Sequence, residues 1–220
     1  MKRRVAIVSP SGLHAAGPVS AAFGELWPDA EPISIIDESL YADYIATRVI
    51  DETIARRLDA LLHYVELTGA EAAVFTGSVF GAIVEASRAD MKIPVLASYE
   101  AMIEAAFAAG PRLAVVTTSP FSMPEIVNDI RRYAERHGRK YTLASKVLDD
   151  ARIAFRERGD IDEHFRLIAK AADDYTDCDC LMLGQTSMGP AYDLIAPLPG
   201  RPVLTPLRTT VLKMKQMLGG

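Results

Sequence analysis

The sequence predicts an α/β fold of two pseudo-symmetric lobes, each a mainly parallel sheet flanked by helices, related by internal duplication. Three observations carry this. Short apolar runs alternate with amphipathic stretches along the whole chain. The runs are almost continuously apolar, as strands covered on both faces are. Several of them recur at one fixed spacing, the signature of a repeat. A chain of 220 residues can build one large domain or two small ones, each with its own core.

The spacing is 108 residues throughout. Arg4-Val5-Ala6-Ile7-Val8 resembles Arg112-Leu113-Ala114-Val115-Val116, and Pro94-Val95-Leu96 resembles Pro202-Val203-Leu204, each at an offset of 108. Between them, Ala73 to Gly81 resembles Leu181 to Gly189 at the same offset of 108. A generic α/β rhythm would not hold register to the residue. The repeat divides the chain into a first lobe, 1–97 plus 206–220, and a second, 98–205.

The expected strands are Val5–Val8, Ile33–Ile36, Ala73–Phe75 and Pro94–Leu96, then Leu113–Val116, Tyr141–Leu143, Leu181–Leu183 and Val203–Leu204. All are read as buried. A helix over Asp51–Thr68 follows from Ile54, Leu58, Leu61, Leu62 and Val65 at helical spacing, with Asp51 as cap and Gly69 as stop. Its counterpart is Asp160–Tyr175, with Phe165, Ile168, Ala169 and Ala172 on one face. Gly110-Pro111 ends one helix and opens the second repeat. A last helix from about Thr209 to Leu218 is expected to return to the first lobe and cover its sheet.

Composition narrows the function. The net charge is −5 and Lys and Arg are dispersed, which argues against a nucleic-acid or anionic-membrane partner. No apolar run reaches the ~18 residues that span a bilayer, and the run after Met1-Lys2-Arg3-Arg4 is too short for a signal peptide. A cytoplasmic protein is expected. The only cysteines, Cys178 and Cys180, are read as strand thiols, neither paired in a disulfide nor set for metal. No glycine-rich phosphate loop or dinucleotide fingerprint follows a strand, and Gly77 to Gly81 is not a nucleophile elbow. No cofactor and no metal are expected.

In parallel sheets, ligands sit beyond the carboxyl ends of the strands. The loops Ser9–His14, Thr76–Gly81, Thr117–Ser122 and Gly184–Gly189 are therefore the ones that matter. Under the repeat, Gly77 and Gln185 are equivalent, and they are expected to face each other across a cleft between the lobes. Ser9, Ser11, Ser78, Thr118, Ser122, Thr186 and Ser187 bring hydroxyls to these loops, with Val79 beside Ser78 and Tyr192 after the Gln185 loop. Their convergence suits a carboxylate; taken singly, each also suits an ordinary helix cap. His14 is the best-placed proton carrier. Asp37 and Glu38 follow the second strand and read as a capping pair. His63, His137 and His164 read as surface residues.

With Thr76-Gly77-Ser78 in one lobe and Gly184-Gln185-Thr186 in the other, the chain resembles the aspartate/glutamate/hydantoin racemase superfamily over essentially its whole length. Asp37-Glu38-Ser39-Leu40, Glu100-Ala101-Met102 and Gln185-Thr186-Ser187-Met188 resemble a divergent bacterial branch. The resemblance implies a cysteine after the third strand of each lobe, one thiolate removing an α-proton and the opposite thiol returning one. It places those cysteines at Gly77 and Gln185, where this chain has none. It also implies a homo-oligomer.

Neither residue can do a thiol's work, because glycine has no side chain and an amide does not titrate near neutrality. Three functions remain open: a cofactor-independent racemase or epimerase acting on a small carboxylic acid or amino-acid derivative without a thiol pair; a decarboxylase of the arylmalonate type; or a non-catalytic carboxylate binder. For the decarboxylase, Gly77 is expected to leave room for a bulkier substituent. A thiol restored by Gly77→Cys is expected to supply a base there.

Overall fold

The computed structural model describes residues 2–10, 16–197 and 200–219. Its chain divides into two compact units, Met1–Ser98 with Thr210–Gly220, and Tyr99–Thr209. Each holds one four-stranded, wholly parallel sheet. No helix among the described residues is long and apolar enough to cross a membrane.

In the first unit the elements run β1 (Arg3–Ser9), α1 (Ala16–Leu26), β2 (Ala30–Ile36), α2 (Glu38–Thr47), α3 (Glu52–Leu67), β3 (Ala72–Phe75), α4 (Gly81–Ser87) and β4 (Val95–Leu96). The sheet order is β2-β1-β3-β4. Central β1 and β3 are buried through almost their whole length, as their apolar runs require. Ala6, Val8, Ala73 and Phe75 form one face and pack with Leu40, Leu58, Leu62, Val65, Phe80 and Val84 of the covering helices.

The second unit repeats the plan. It runs α5 (Glu100–Ala109), β5 (Arg112–Thr117), α6 (Ser122–Arg136), β6 (Thr142–Val147), α7 (Asp149–Arg156), α8 (Ile161–Ala172), β7 (Cys180–Leu183), α9 (Tyr192–Ile195) and β8 (Val203–Leu204), with α10 (Pro206–Met217) following. The order β6-β5-β7-β8 mirrors the first sheet. Ala114, Val116, Leu181 and Leu183 pack toward α7, α8 and α9, while Leu113, Val115, Cys180 and Met182 pack toward α5 and α6. Alternate residues of each strand thus serve two helical layers.

The offset of 108 holds in the hydrogen-bonded register itself: Val5 pairs with Ala72 and Leu113 with Cys180, and Ala73 pairs with Val95 and Leu181 with Val203. The expected cap of α3 is present: Asp51 accepts from Ile54 N at 2.8 Å. Asp160 caps α8 in the same way, accepting from Glu163 N at 2.9 Å. Gly69 ends α3 at φ +74, a left-handed conformation that favours glycine. From Thr210 onward α10 belongs to the first unit, where Lys215 Nζ donates to Leu26 O at 3.2 Å.

Several expectations need correction. β2 and β6 are edge strands and only partly buried, and β6 extends to Val147 through the exposed Ser145 and Lys146. An edge strand has one sheet neighbour and tolerates polar residues, and Pro32 in β2. The last helix begins at Pro206, three residues before Thr209, since proline suits a first helical turn. Cys178 precedes β7 and is half-buried, while both thiols are free, as expected.

His164 is not a surface residue. It is 2% exposed, because it shares the inward face of α8 with Ile168 and Ala171. Its Nδ1–H donates to Ala151 O at 2.8 Å, and the rings of Phe155 and Phe165 lie 5.0 Å from its own. His63 is half-exposed beside Asp59, and His137 is exposed at the end of α6.

Candidate functional site

In the second unit the carboxyl ends of β5 and β7 set one constellation. β5 stops at Thr117 and leaves the Thr118 N–H beyond the ladder. Gln185, two residues past β7, supplies its acceptor. Gln185 Oε1 receives the Thr118 N–H at 2.6 Å and the Thr118 hydroxyl at 2.9 Å. Thr118 is buried and Gln185 half-buried. The adjoining backbone is pinned as well: Gly184 N donates to Val116 O at 2.8 Å, and the buried Tyr99 hydroxyl donates to Gly184 O at 3.0 Å.

Beyond Gln185 the chain turns into a short 3₁₀ segment, Thr186–Ala191. Thr186 is half-buried and Ser187 exposed. Tyr192 opens α9 and lies under the Arg208 guanidinium, 4.1 Å from its ring centre. Ser122 opens α6, half-buried, and its N–H donates to Ser119 O at 3.2 Å. No side chain caps α6 by hydrogen bonding.

The equivalent place in the first unit is built differently. Gly77 is buried two residues past β3. A Cβ on it would stand 2.6 Å from Phe75 Cε1, 2.6 Å from Pro10 Cγ and 2.9 Å from Phe80 Cδ2. Real Cβ atoms do not approach so closely, and Phe75 and Phe80 are fully buried in an edge-to-face pair 5.7 Å apart. The expectation that Gly77 leaves room is therefore corrected: the direction a side chain would take is filled by this unit's own core. A thiol introduced at 77 would have to displace packed rings.

Pro10 stands where the second unit has Thr118, at the same offset of 108. Proline has no N–H to satisfy. The pair Pro10–Gly77 thus lacks both the donor and the acceptor of the pair Thr118–Gln185. Ser9 is buried at the end of β1, and Ser78 and Val79 are half-buried in the turn after Gly77. Ser11 and His14 lie outside the described residues.

The remaining candidates are structural. Asp37 caps α2, accepting from Ser39 N at 3.0 Å and from its hydroxyl, with Arg57 Nη2 at 3.4 Å. Burial pushes its carboxyl up, but the Ser39 bonds and the Arg57 charge outweigh this and leave it below its ordinary value. Cys180 is fully buried at the start of β7, and burial pushes its thiol up to about 11. It lies five positions before Gln185, on the order of 16 Å at ~3.3 Å per strand residue. Among the described residues, no group of three or more His, Cys, Asp and Glu could hold a metal. A cavity of about 380 Å³ in the second unit lies elsewhere, at the end of β6, lined by Lys146, Leu148, Asp150, Lys170 and Asp174 among others.

Sequence reasoning put Thr118 and Gln185 in the loops after their strands, where they lie, but missed that one holds the other. It also missed Tyr99, whose contact with Gly184 is 85 residues away in sequence.

Comparison with known proteins agrees with this architecture. An allantoin racemase from Klebsiella pneumoniae superposes with a TM-score of 0.71 at 14% identity, covering 99% of this chain and 88% of that one. An aspartate racemase homologue from Pyrococcus horikoshii gives 0.71 at 14% identity, covering both chains completely. A glutamate racemase from Bacillus anthracis gives 0.66 at 15%, covering 99% and 82%. At such identities the likeness is one of fold. No curated protein sequence matches the chain. The family model described as Asp/Glu/Hydantoin racemase matches residues 7–214, nearly the whole length. The chain belongs to the Asp/Glu/hydantoin racemase family.

Proposed function

We propose that the protein is a cofactor-independent isomerase of the racemase/epimerase type. Its substrate is a small carboxylic acid or amino-acid derivative bound at the carboxyl ends of the parallel strands, and its mechanism uses no cysteine pair. Family membership supports the class of reaction. One observation carries the departure in mechanism: the two positions that the resemblance gives to cysteines hold Gly77, whose side-chain direction is filled, and Gln185, whose amide oxygen is engaged by Thr118. The chain's own thiols are no substitute: Cys180 is buried with its proton held to about 11, and Cys178 precedes β7, at the end of the strand opposite Gln185.

The proton carrier in this reading is His14, because imidazole is the side chain whose ordinary pKa lies nearest neutrality. Replacing it by glutamine is expected to lower turnover by about 10²–10⁴-fold, the usual share of a general acid–base group.

The asymmetry of the two half-sites favours a second reading. Decarboxylation of a malonate-like acid needs a stabilised enediolate and one proton donor rather than two opposed ones. One filled position and one hydrogen-bonding position suit that chemistry.

The test is incubation in D₂O with amino acids, hydantoins and substituted malonates. Solvent deuterium at the α-carbon with inversion supports the isomerase. Carbon dioxide release supports the lyase. Saturable binding with neither reaction identifies a carboxylate binder and overturns both.

A further inference from the structure

We infer that Gln185 is a hydrogen-bond donor to an oxygen of the bound substrate, and that Thr118 is the positioning residue that aims it. The inference rests on the reading just given and assigns a ligand chemistry to one residue of that site. An amide side chain has an accepting end and a donating end, and which way it points decides what it recognises. Here the direction is fixed. The Thr118 backbone N–H can only donate, so the Gln185 atom 2.6 Å from it must be the oxygen. The Thr118 hydroxyl adds a second donor to the same oxygen at 2.9 Å. The Nε2 group is left as the outward end, and among the described residues nothing accepts from it.

A half-buried amide locked in this way offers two N–H bonds and no acceptor. It suits a carboxylate or a carbonyl oxygen and disfavours an ammonium or a hydroxyl presented as donor. The first unit shows what the arrangement is for by lacking it. Pro10 has no N–H to orient a side chain, and Gly77 has no side chain to orient. Residue pairs at equivalent points of the repeat are thus both functional in one unit and both closed in the other. A purely structural role for Gln185, that of satisfying the end of β5, would need only its oxygen and would be served equally well by glutamate.

That difference supplies the experiment. The chain has two glutamines, Gln185 and Gln216, and one asparagine, Asn128, so ¹⁵N-labelled protein shows only three side-chain amide pairs. The Gln185 pair is assigned by its loss in Gln185→Met. Malonate is the probe. Its titration is expected to move the Gln185 amide and leave Gln216 and Asn128 in place. Gln185→Met is expected to weaken malonate about tenfold or more, the loss of a bond to a charged acceptor. Gln185→Glu is expected to weaken it further, because the outward atom becomes an anionic acceptor. Thr118→Val should weaken malonate several-fold, and Thr118→Ser, which keeps the hydroxyl, should restore it.

Malonate binding that leaves the Gln185 amide unmoved, or is unchanged in Gln185→Glu, overturns the inference. So does an absence of saturable malonate binding. Deuterium exchange reports on the enzymatic reading separately: a moving Gln185 amide without any turnover sinks that reading alone, and turnover indifferent to Gln185→Glu sinks the inference alone.

Discussion

Pro10 and Gly77 close on one another: a Cβ at position 77 would lie 2.6 Å from Pro10 Cγ, with Phe75 Cε1 equally near. Glycine is the residue here because neighbouring atoms occupy the space. Its φ of −87 is open to any residue, so the constraint is steric and not conformational.

Gly77→Ala should therefore destabilise the protein by about 1–3 kcal/mol, the usual cost of overpacking a filled core. Urea unfolding of the variant beside the wild type measures it. A change within a few tenths of a kcal/mol would show that Phe75, Phe80 and Pro10 yield easily and that position 77 can carry a side chain.

Cys180 should resist alkylation in the native state. Its thiol ordinarily titrates at 9.0 and is held to about 11 by burial. Between those two values the unfolded chain gives up the proton and the folded chain keeps it, so stability falls as pH rises through that window and levels off above it. The loss is on the order of 2–3 kcal/mol. Comparing wild type with Cys180→Ala from pH 8 to 11 isolates it, since the variant lacks this contribution. Iodoacetamide should label Cys180 only when urea is present, as peptide mass mapping would reveal.

His164 ties α8 to α7 through the Ala151 carbonyl from a fully enclosed position. His164→Ala removes that bond and leaves a cavity between the rings of Phe155 and Phe165. A loss of about 2–4 kcal/mol is expected. A urea midpoint equal to the wild type's would place the imidazole in solvent instead.

Much of the fold was legible because its signals are local. The buried runs of β1, β3, β5 and β7 and the cap Asp51 are short-range patterns, and the offset of 108 between Val5–Ala72 and Leu113–Cys180 follows from them. What escaped depends on residues distant in sequence. His164 lies on the buried face of α8 four residues before Ile168, but a polar residue at the margin of that face reads as exposed until α7 supplies the Ala151 carbonyl that accepts from it. The filled space at Gly77 needs Pro10, from another strand's end, as well as the nearby Phe75 and Phe80. The aim of the Gln185 amide depends on the register of β5 against β7, which leaves the Thr118 N–H outside the ladder and free to donate to it.

The central claim is that this member of the family works without a thiol. The most direct test measures α-proton exchange in D₂O by the double variant Cys178→Ser/Cys180→Ala, using the substrate on which the wild type is most active. The account predicts an exchange rate within about threefold of the wild type's, because Cys178 precedes β7 and Cys180 opens it, at the opposite end of the strand from the proposed site. Exchange reduced a hundredfold or more in a variant that still folds and binds that substrate would contradict it.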